Sequence, residues 1–353
     1  MTAPVSPSAP RFGAASPSPS SDEAADTACG GSLSHPGEAG RPAGRGRHVA
    51  RKAATPPQGR LPNLILVGVS RAGTTSLFNY LRQHPDVGTS DVKELRYFTP
   101  VRHAEPLGPI EPYAMQFAAC SQAFAMEATP GYFYGGRRLA TVMRQTLPSV
   151  RALVSLRNPV DRCWSWFRFV KSRNRIPKDL GFSDYLDRCE QLRRQGVDAN
   201  VEHQPFWGLG GGCYAQWLVG WLDAFGGDFR ISFFEDLKED PSVSVKGHCR
   251  WLGINEDDVD TFDFAATNES QLYKNRTIQK AAVRLNRRGE RFFRRHPALK
   301  HSMRKAYYAV NKAPSLPQMS DAERSRLTHF YAPYNAELSL RLADLGLEIP
   351  RQW

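Results

Sequence analysis

No stretch of this sequence is apolar for long enough to cross a membrane or to form the core of a signal peptide. A chain peripheral to a membrane at most, and cytoplasmic, is the expectation; the lack of an anchor suits a bacterial cytosolic protein better than a Golgi one. Cysteine is sparse: Cys29, Cys120, Cys163, Cys189, Cys213 and Cys249 form no C-x-x-C pair and have no His at ligand spacing. A zinc site is therefore not expected, and the six read as reduced, mostly buried thiols. Large apolar residues are nearly missing from positions 1–60, where Ala, Pro, Ser and Gly dominate. Such a segment cannot bury enough surface to offset its ordering entropy, so a disordered tail is expected, its basic cluster Arg41–Arg60 serving as a solvated linker. Acidic residues are also in deficit. Asp and Glu number 35 against 47 Lys and Arg, a net charge of +12, which favours acidic partners such as nucleotides, nucleic acids, anionic glycans or membrane surfaces.

Beyond the tail the pattern changes. Leu64–Val67 is a short aliphatic run between Pro62 and Gly68, as expected of a fully buried strand, and similar runs recur at Phe124–Met126, Ala152–Leu156 and Arg230–Phe234. Helical patterns lie at Thr74–Gln83, Arg137–Leu147, Val160–Arg173 and Tyr214–Phe225, and a closing helix at Asp321–Leu345. Strands alternating with helices predict an α/β fold: one domain over 61–353, with a P-loop-like central, mostly parallel β-sheet flanked by helices.

Gly68-Val-Ser-Arg-Ala-Gly-Thr-Thr-Ser-Leu77 follows the first strand and opens the first helix. Gly68 and Gly73 let the backbone turn and approach a ligand, and amides at a helix start favour an anion. The glycine spacing is that of a Walker A loop, but Thr74 stands where that loop needs Lys, which disfavours a magnesium-dependent kinase or NTPase. Arg71 is the nearest cation. An ordinary βα turn is the alternative. Farther on, Arg157 falls at the carboxyl end of a strand and Ser165 eight residues later in the following helix, placed to hold a second phosphate on the same rim.

Gly68–Leu77, with His84-Pro85 after its helix, resembles the 5′-phosphosulfate loop of the sulfotransferases that use 3′-phosphoadenosine-5′-phosphosulfate (PAPS), most of all the heparan-sulfate and bacterial carbohydrate branch. Ala152–Ser165 resembles the family's 3′-phosphate motif, and Lys93-Glu-Leu-Arg-Tyr-Phe98 its stretch bearing the glutamate that deprotonates the acceptor. The resemblance implies PAPS as co-substrate, held by Ser70, Arg71, Ala72, Gly73, Thr74, Thr75, Ser76, Arg157 and Ser165, with no metal. It implies Glu94 as base, with Arg71 and Lys93 neutralising the leaving phosphate, and Arg162 as a structural ion-pair partner. Glu127-Ala-Thr-Pro-Gly-Tyr-Phe133 resembles a fourth stretch that shapes the acceptor cleft, but Ala128 replaces the Lys of heparan-modifying members. The family's closing K-G-R loop is absent; Lys274-Asn-Arg276 and Asn311-Lys312 both stand as substitutes, and Tyr273 is a candidate to stack on adenine. A sulfotransferase acting on a glycan or glycolipid is the leading expectation. A P-loop kinase or NTPase, and a non-catalytic polyanion-binding protein, are the alternatives.

One further segment is basic. Ten Lys or Arg residues lie between Lys280 and Lys305 against Glu290 alone, on a candidate amphipathic helix suited to a polyanion or an anionic membrane surface, or simply solvated. No signature of specific nucleic-acid binding is visible.

Overall fold

The computed structural model describes residues 59–90, 92–265 and 318–353, with single positions at Leu285, Ser302, Met303 and Ala306 between them. The tail up to residue 58 lies outside the described residues, as do Tyr273, Lys274, Arg276, Asn311 and Lys312 and nearly all of 280–305. The described residues fall in one unit, Thr55–Trp353. Packing begins at Arg60, whose guanidinium donates to the carbonyls of Cys120, Gln122 and Ala123 at 3.0, 2.6 and 2.9 Å.

Five strands form the sheet: β1 (Leu64–Gly68), β2 (Val87–Thr89), β3 (Phe124–Ala128), β4 (Arg151–Leu156) and β5 (Phe229–Phe233). Their spatial order is β2-β3-β1-β4-β5, and every pair is parallel, so the sheet is wholly rather than mostly so. In β1, Leu64, Ile65, Leu66 and Val67 are all fully buried, which explains the unbroken aliphatic run. Alternation sends Leu64 and Leu66 into one core and Ile65 and Val67 into the other. Each fully buried aliphatic side chain of this kind contributes about 1.5–3 kcal/mol.

On the first face, α1 (Thr74–Leu81) packs Leu77, Phe78 and Leu81 with Val245, Cys249 and Leu252 of α9 (Pro241–Leu252). On the second, Leu139 and Met143 of α4 (Gly136–Thr146) meet Leu218, Trp221 and Phe225 of α7 (Ala215–Phe225). A third core joins α5 (Pro159–Ser172), α6 (Phe182–Arg194) and the closing helix Asp321–Ala343 through Phe167, Tyr185, Leu186, Leu327 and Tyr331. Two short helices, α2 (Thr99–Arg102) and α3 (Glu111–Met115), follow the Lys93–Phe98 segment, and α8 (Phe234–Glu239) follows β5.

β1 has β3 on one side and β4 on the other, so the chain's path reverses direction across the sheet beside β1. Open α/β sheets place ligands at such a switch, beyond the carboxyl ends of the strands. Here those ends carry the Gly68–Gly73 turn and Arg157. Among the described residues no disulfide forms, and Cys163, Cys189, Cys213 and Cys249 are buried thiols.

Candidate functional site

The turn after β1 is fixed by its neighbour strand. Val69 N–H donates to the Ser155 carbonyl at 2.9 Å, and Ser155 Oγ donates to the Ala72 carbonyl at 2.8 Å. Gly73 then takes a left-handed φ of +71° just before α1, a position that glycine alone adopts without strain. A Cβ there would also approach Phe234 to 2.6 Å. Among the described residues no side chain caps α1, so its first-turn amides remain available to an anion.

Arg71 also has a positive φ, +76°, which costs a non-glycine residue about 1–3 kcal/mol and persists only where the surroundings over-determine it. They do so from several sides. Its Nε donates to Ser165 Oγ at 3.0 Å, its guanidinium lies 5.1 Å from the Phe169 ring centroid, and its carbonyl accepts from Arg157 Nη1 at 3.0 Å. Arg157 in turn lies 4.5 Å above Phe234, and its own carbonyl accepts from Tyr214 Oη at 2.7 Å. Thus the loop and the β4–α5 junction, 86 residues apart in sequence, are tied into one wall.

Arg71, Gly73, Thr74, Thr75, Ser76, Arg157 and Phe234 line a cavity of about 110 Å³. Its electrostatics are one-sided. Burial, then the charges of Arg157, Arg168, Arg162 and Arg173, pull the Arg71 pKa down to about 10. Arg71 stays charged near neutrality, yet the crowding of cations marks a place where an anion is favoured. Burial likewise lowers Arg157, whose Nε is buried with no hydrogen-bond partner among the described residues. A buried guanidinium N–H left in this condition fits an anionic ligand.

The helix start behind Arg157 is well specified. Asn158 Oδ1 accepts from the Val160 and Asp161 amides at 3.0 and 3.4 Å, and Pro159 occupies the first helical position. Arg162, expected as an ion-pair partner, has none among the described residues. It is fully buried, and its Nη2 donates to the Trp207 and Gly208 carbonyls at 3.3 and 2.8 Å. The turn through Gly211 wraps it so closely that a Cβ there would meet Nη2 at 2.2 Å. Two carbonyls thus stand where a carboxylate was expected, and Nε and Nη1 are buried with no hydrogen-bond partner among the described residues.

Lys93 and Glu94 are not among the residues that line this cavity. Glu94 N–H donates to the Ala128 carbonyl at the end of β3 at 3.0 Å. Its carboxylate lies 3.4 Å from Lys93 Nζ and 3.5 Å from Arg96 Nη2. Burial lowers the Lys93 pKa against the opposing pull of Glu94 and Glu127. Glu94 and Arg96 both have left-handed φ, +66° and +61°, so strain concentrates in this segment as it does at Arg71. Of the expected site residues, the structure brings Arg71, Gly73, Thr74, Thr75, Ser76, Arg157 and Ser165 together. Ser70 sits at the turn outside the lining set, Ala72 is fully buried with its carbonyl held by Ser155, and Tyr273 lies outside the described residues.

Sequence reasoning gave no role to Phe234 or Ser155 and none to Glu127 by itself. Glu127, in the stretch expected to shape the acceptor cleft, is fully buried, with Tyr113, Thr129 and Tyr132 donating to its carboxylate. Ala128 is buried too. Among the described residues, no group of three or more His, Cys, Asp or Glu side chains is arranged to hold a metal ion, and no helix is long and apolar enough to cross a membrane.

The model of the sulfotransferase domain matches residues 61–312. The chain belongs to the sulfotransferase family. One curated relative of this sulfotransferase-family chain is the human bifunctional heparan sulfate N-deacetylase/N-sulfotransferase 1, 22% identical over 306 residues and aligned with 82% of this chain but 30% of its own length. Another is the membrane-associated sulfotransferase kil1 of Dictyostelium discoideum, 28% identical over 167 residues, covering 43% of this chain and 34% of its own. The chain therefore spans about a third of the length of these relatives. Among solved structures, a sulfotransferase from Alicyclobacillus acidocaldarius superposes with a TM-score of 0.56 at 23% identity, covering 80% of this chain and 96% of that one, a likeness of fold.

Proposed function

We propose that this protein transfers the sulfuryl group of PAPS to a hydroxyl or amine of a carbohydrate or glycolipid acceptor. The observation that carries the reading is the meeting of an uncapped helix start, Arg71 and Arg157 around one small cavity, in a chain of the sulfotransferase family. In this reading the amides and hydroxyls of Thr74, Thr75 and Ser76 hold the 5′-phosphosulfate. Arg157 and Ser165 hold the 3′-phosphate, Arg157 through the N–H that has no partner among the described residues. Glu94 takes the proton of the acceptor as its oxygen or nitrogen bonds to sulfur. The bond from sulfur to the phosphate oxygen breaks, and Arg71, with Lys93, offsets the charge left on that phosphate. Support for Glu94 is its exposure: its side chain is 41% accessible, while Glu127 is fully buried and cannot meet an acceptor. Support for a glycan acceptor is the heparan sulfate named for the human relative.

The test is thermal. PAP, the desulfated product, at about a hundred times its dissociation constant should raise the melting temperature by roughly 5 °C without magnesium. Stabilisation by ATP with magnesium and none by PAP would overturn the donor assignment. Radiolabelled PAPS offered to panels of glycans, glycolipids, tyrosine peptides and small alcohols then identifies the acceptor; label transferred only to peptide or small alcohol rejects the carbohydrate reading.

A further inference from the structure

The segment that carries Glu94 has no regular structure, and two of its residues are in left-handed conformation. Its alternate amides are nevertheless all spoken for. Glu94 N–H goes to the Ala128 carbonyl at 3.0 Å, Arg96 N–H to Thr129 Oγ1 at 3.3 Å, and Phe98 N–H to Tyr132 Oη at 3.2 Å. Two of the three acceptors are hydroxyls, and a hydroxyl has a single proton that rotates to suit its surroundings. Here both protons have the same destination. Thr129 Oγ1 donates to Glu127 Oε1 at 2.7 Å and Tyr132 Oη to the same oxygen at 2.9 Å. With their protons committed inward, both hydroxyls must turn lone pairs outward to the Arg96 and Phe98 amides.

The other carboxylate oxygen of Glu127 takes the Tyr113 hydroxyl. The Tyr113 ring stacks on Tyr97, centroids 4.4 Å apart and planes 10° apart, and Phe98 meets Tyr132 edge-on at 5.7 Å. The side chains of the segment are thus seated on the same rings whose hydroxyls reach Glu127. Burial pushes the Glu127 pKa up, and the three hydroxyl donors and Lys93 pull it down. Glu127 touches no surface through which an acceptor could arrive.

We infer that Glu127 is a positioning residue: acting through the hydroxyls of Thr129, Tyr132 and Tyr113, it holds residues 94–98 in the strained form that presents Glu94. The inference rests on the sulfotransferase reading only where activity is the readout. Amide exchange is independent of that reading.

The experiment compares wild type with Glu127→Ala and Glu127→Gln in the full chain, measuring amide exchange at single-residue resolution, the PAP dissociation constant, and single-turnover rates with PAPS. In Glu127→Ala, exchange at Glu94, Arg96 and Phe98 should quicken by about tenfold or more, because the hydroxyl rotors lose their anchor and buried donors lose their acceptor. The transfer rate should fall about a hundredfold, with PAP affinity changed by less than about threefold. Glu127→Gln keeps an oxygen for Thr129 and Tyr132, so it should recover most of both losses. Unchanged exchange at these amides, or PAP affinity falling in step with rate, overturns the inference. If Glu127→Ala does not fold, Thr129→Val, close in shape, should quicken exchange at Arg96 while sparing the Val69 and Leu77 amides; equal exchange at all three rejects it. A wild type that transfers no sulfuryl group while exchange responds as expected rejects the function and leaves the positioning role standing.

Discussion

The wall made by the β1 turn, the end of β4 and α5 gathers cations; the segment at the end of β3 gathers a near balance of charge. In the wall, Arg71 donates to a hydroxyl, and Arg157 and the fully buried Arg162 donate to main-chain carbonyls. Burial first, and then four other arginines in reach, depress the pKa of Arg71. At Lys93–Phe98, Glu94 lies between Lys93 and Arg96, with Glu127 beneath. A site that gathers several cations around one cavity is prepared for an anion. One that balances its charges, and leaves a carboxylate partly exposed, is prepared to accept a proton. Both regions store strain, at Arg71 on one side and at Glu94 and Arg96 on the other.

This division of labour is open to attack from either side. Glu94→Gln should give the largest effect, a loss in turnover of about 10³-fold, within the range expected for a positioned base, while PAP binding stays within about twofold of wild type. Steady-state kinetics and calorimetry read the two quantities separately. Arg157→Ala should do the reverse. Removing a charge-assisted contact weakens donor binding by about 10–100-fold, and at saturating donor the turnover should stay within a few-fold. If Glu94→Gln weakens PAP binding, or Arg157→Ala lowers turnover at saturation as strongly as affinity, the two regions are not separate in function.

The wall was far more legible in the sequence than the segment opposite it. Leu64–Val67 and the glycine spacing are local signals, each tied to a backbone requirement that a few consecutive residues express. β2 is only Val87–Thr89 at the sheet edge, too short for a periodicity to show. α6 was not among the helices expected, although Phe182, Tyr185, Leu186, Cys189 and Leu192 are buried along one face at helical spacing. Glu94 was legible only by resemblance, since an exposed Lys-Glu pair has no distinguishing local signature. The contacts of Glu127 were not legible because they depend on Tyr113, 14 residues away, and on hydroxyl directions that no linear pattern encodes. Arg162 misled for a related reason. Its acceptors are main-chain carbonyls, which any residue type can supply.

Two stability measurements probe how independently the wall is held. Gly73→Ala should cost about 2 kcal/mol, combining the left-handed φ with the approach of Phe234, and should weaken PAP binding along with it. Asn158→Ala should have the smallest effect, yet it discriminates most finely. The side chain accepts from two amides of the first turn of α5, and its Nδ2 donates to the Gln352 carbonyl. Losing such a cap costs about 1 kcal/mol, or roughly 2 °C in melting temperature for a domain of this size. Because Asn158 follows Arg157 directly, a frayed helix start should loosen the Arg157 contact with the Arg71 carbonyl and lower PAP affinity by about two- to fivefold. Exchange at Glu94, Arg96 and Phe98 should not change, because their acceptors lie at and beyond the end of β3, outside the β4–α5 junction. Faster exchange at those three amides in Asn158→Ala would mean that the two regions share one cooperative unit, and the contrast between them would reduce to charge alone.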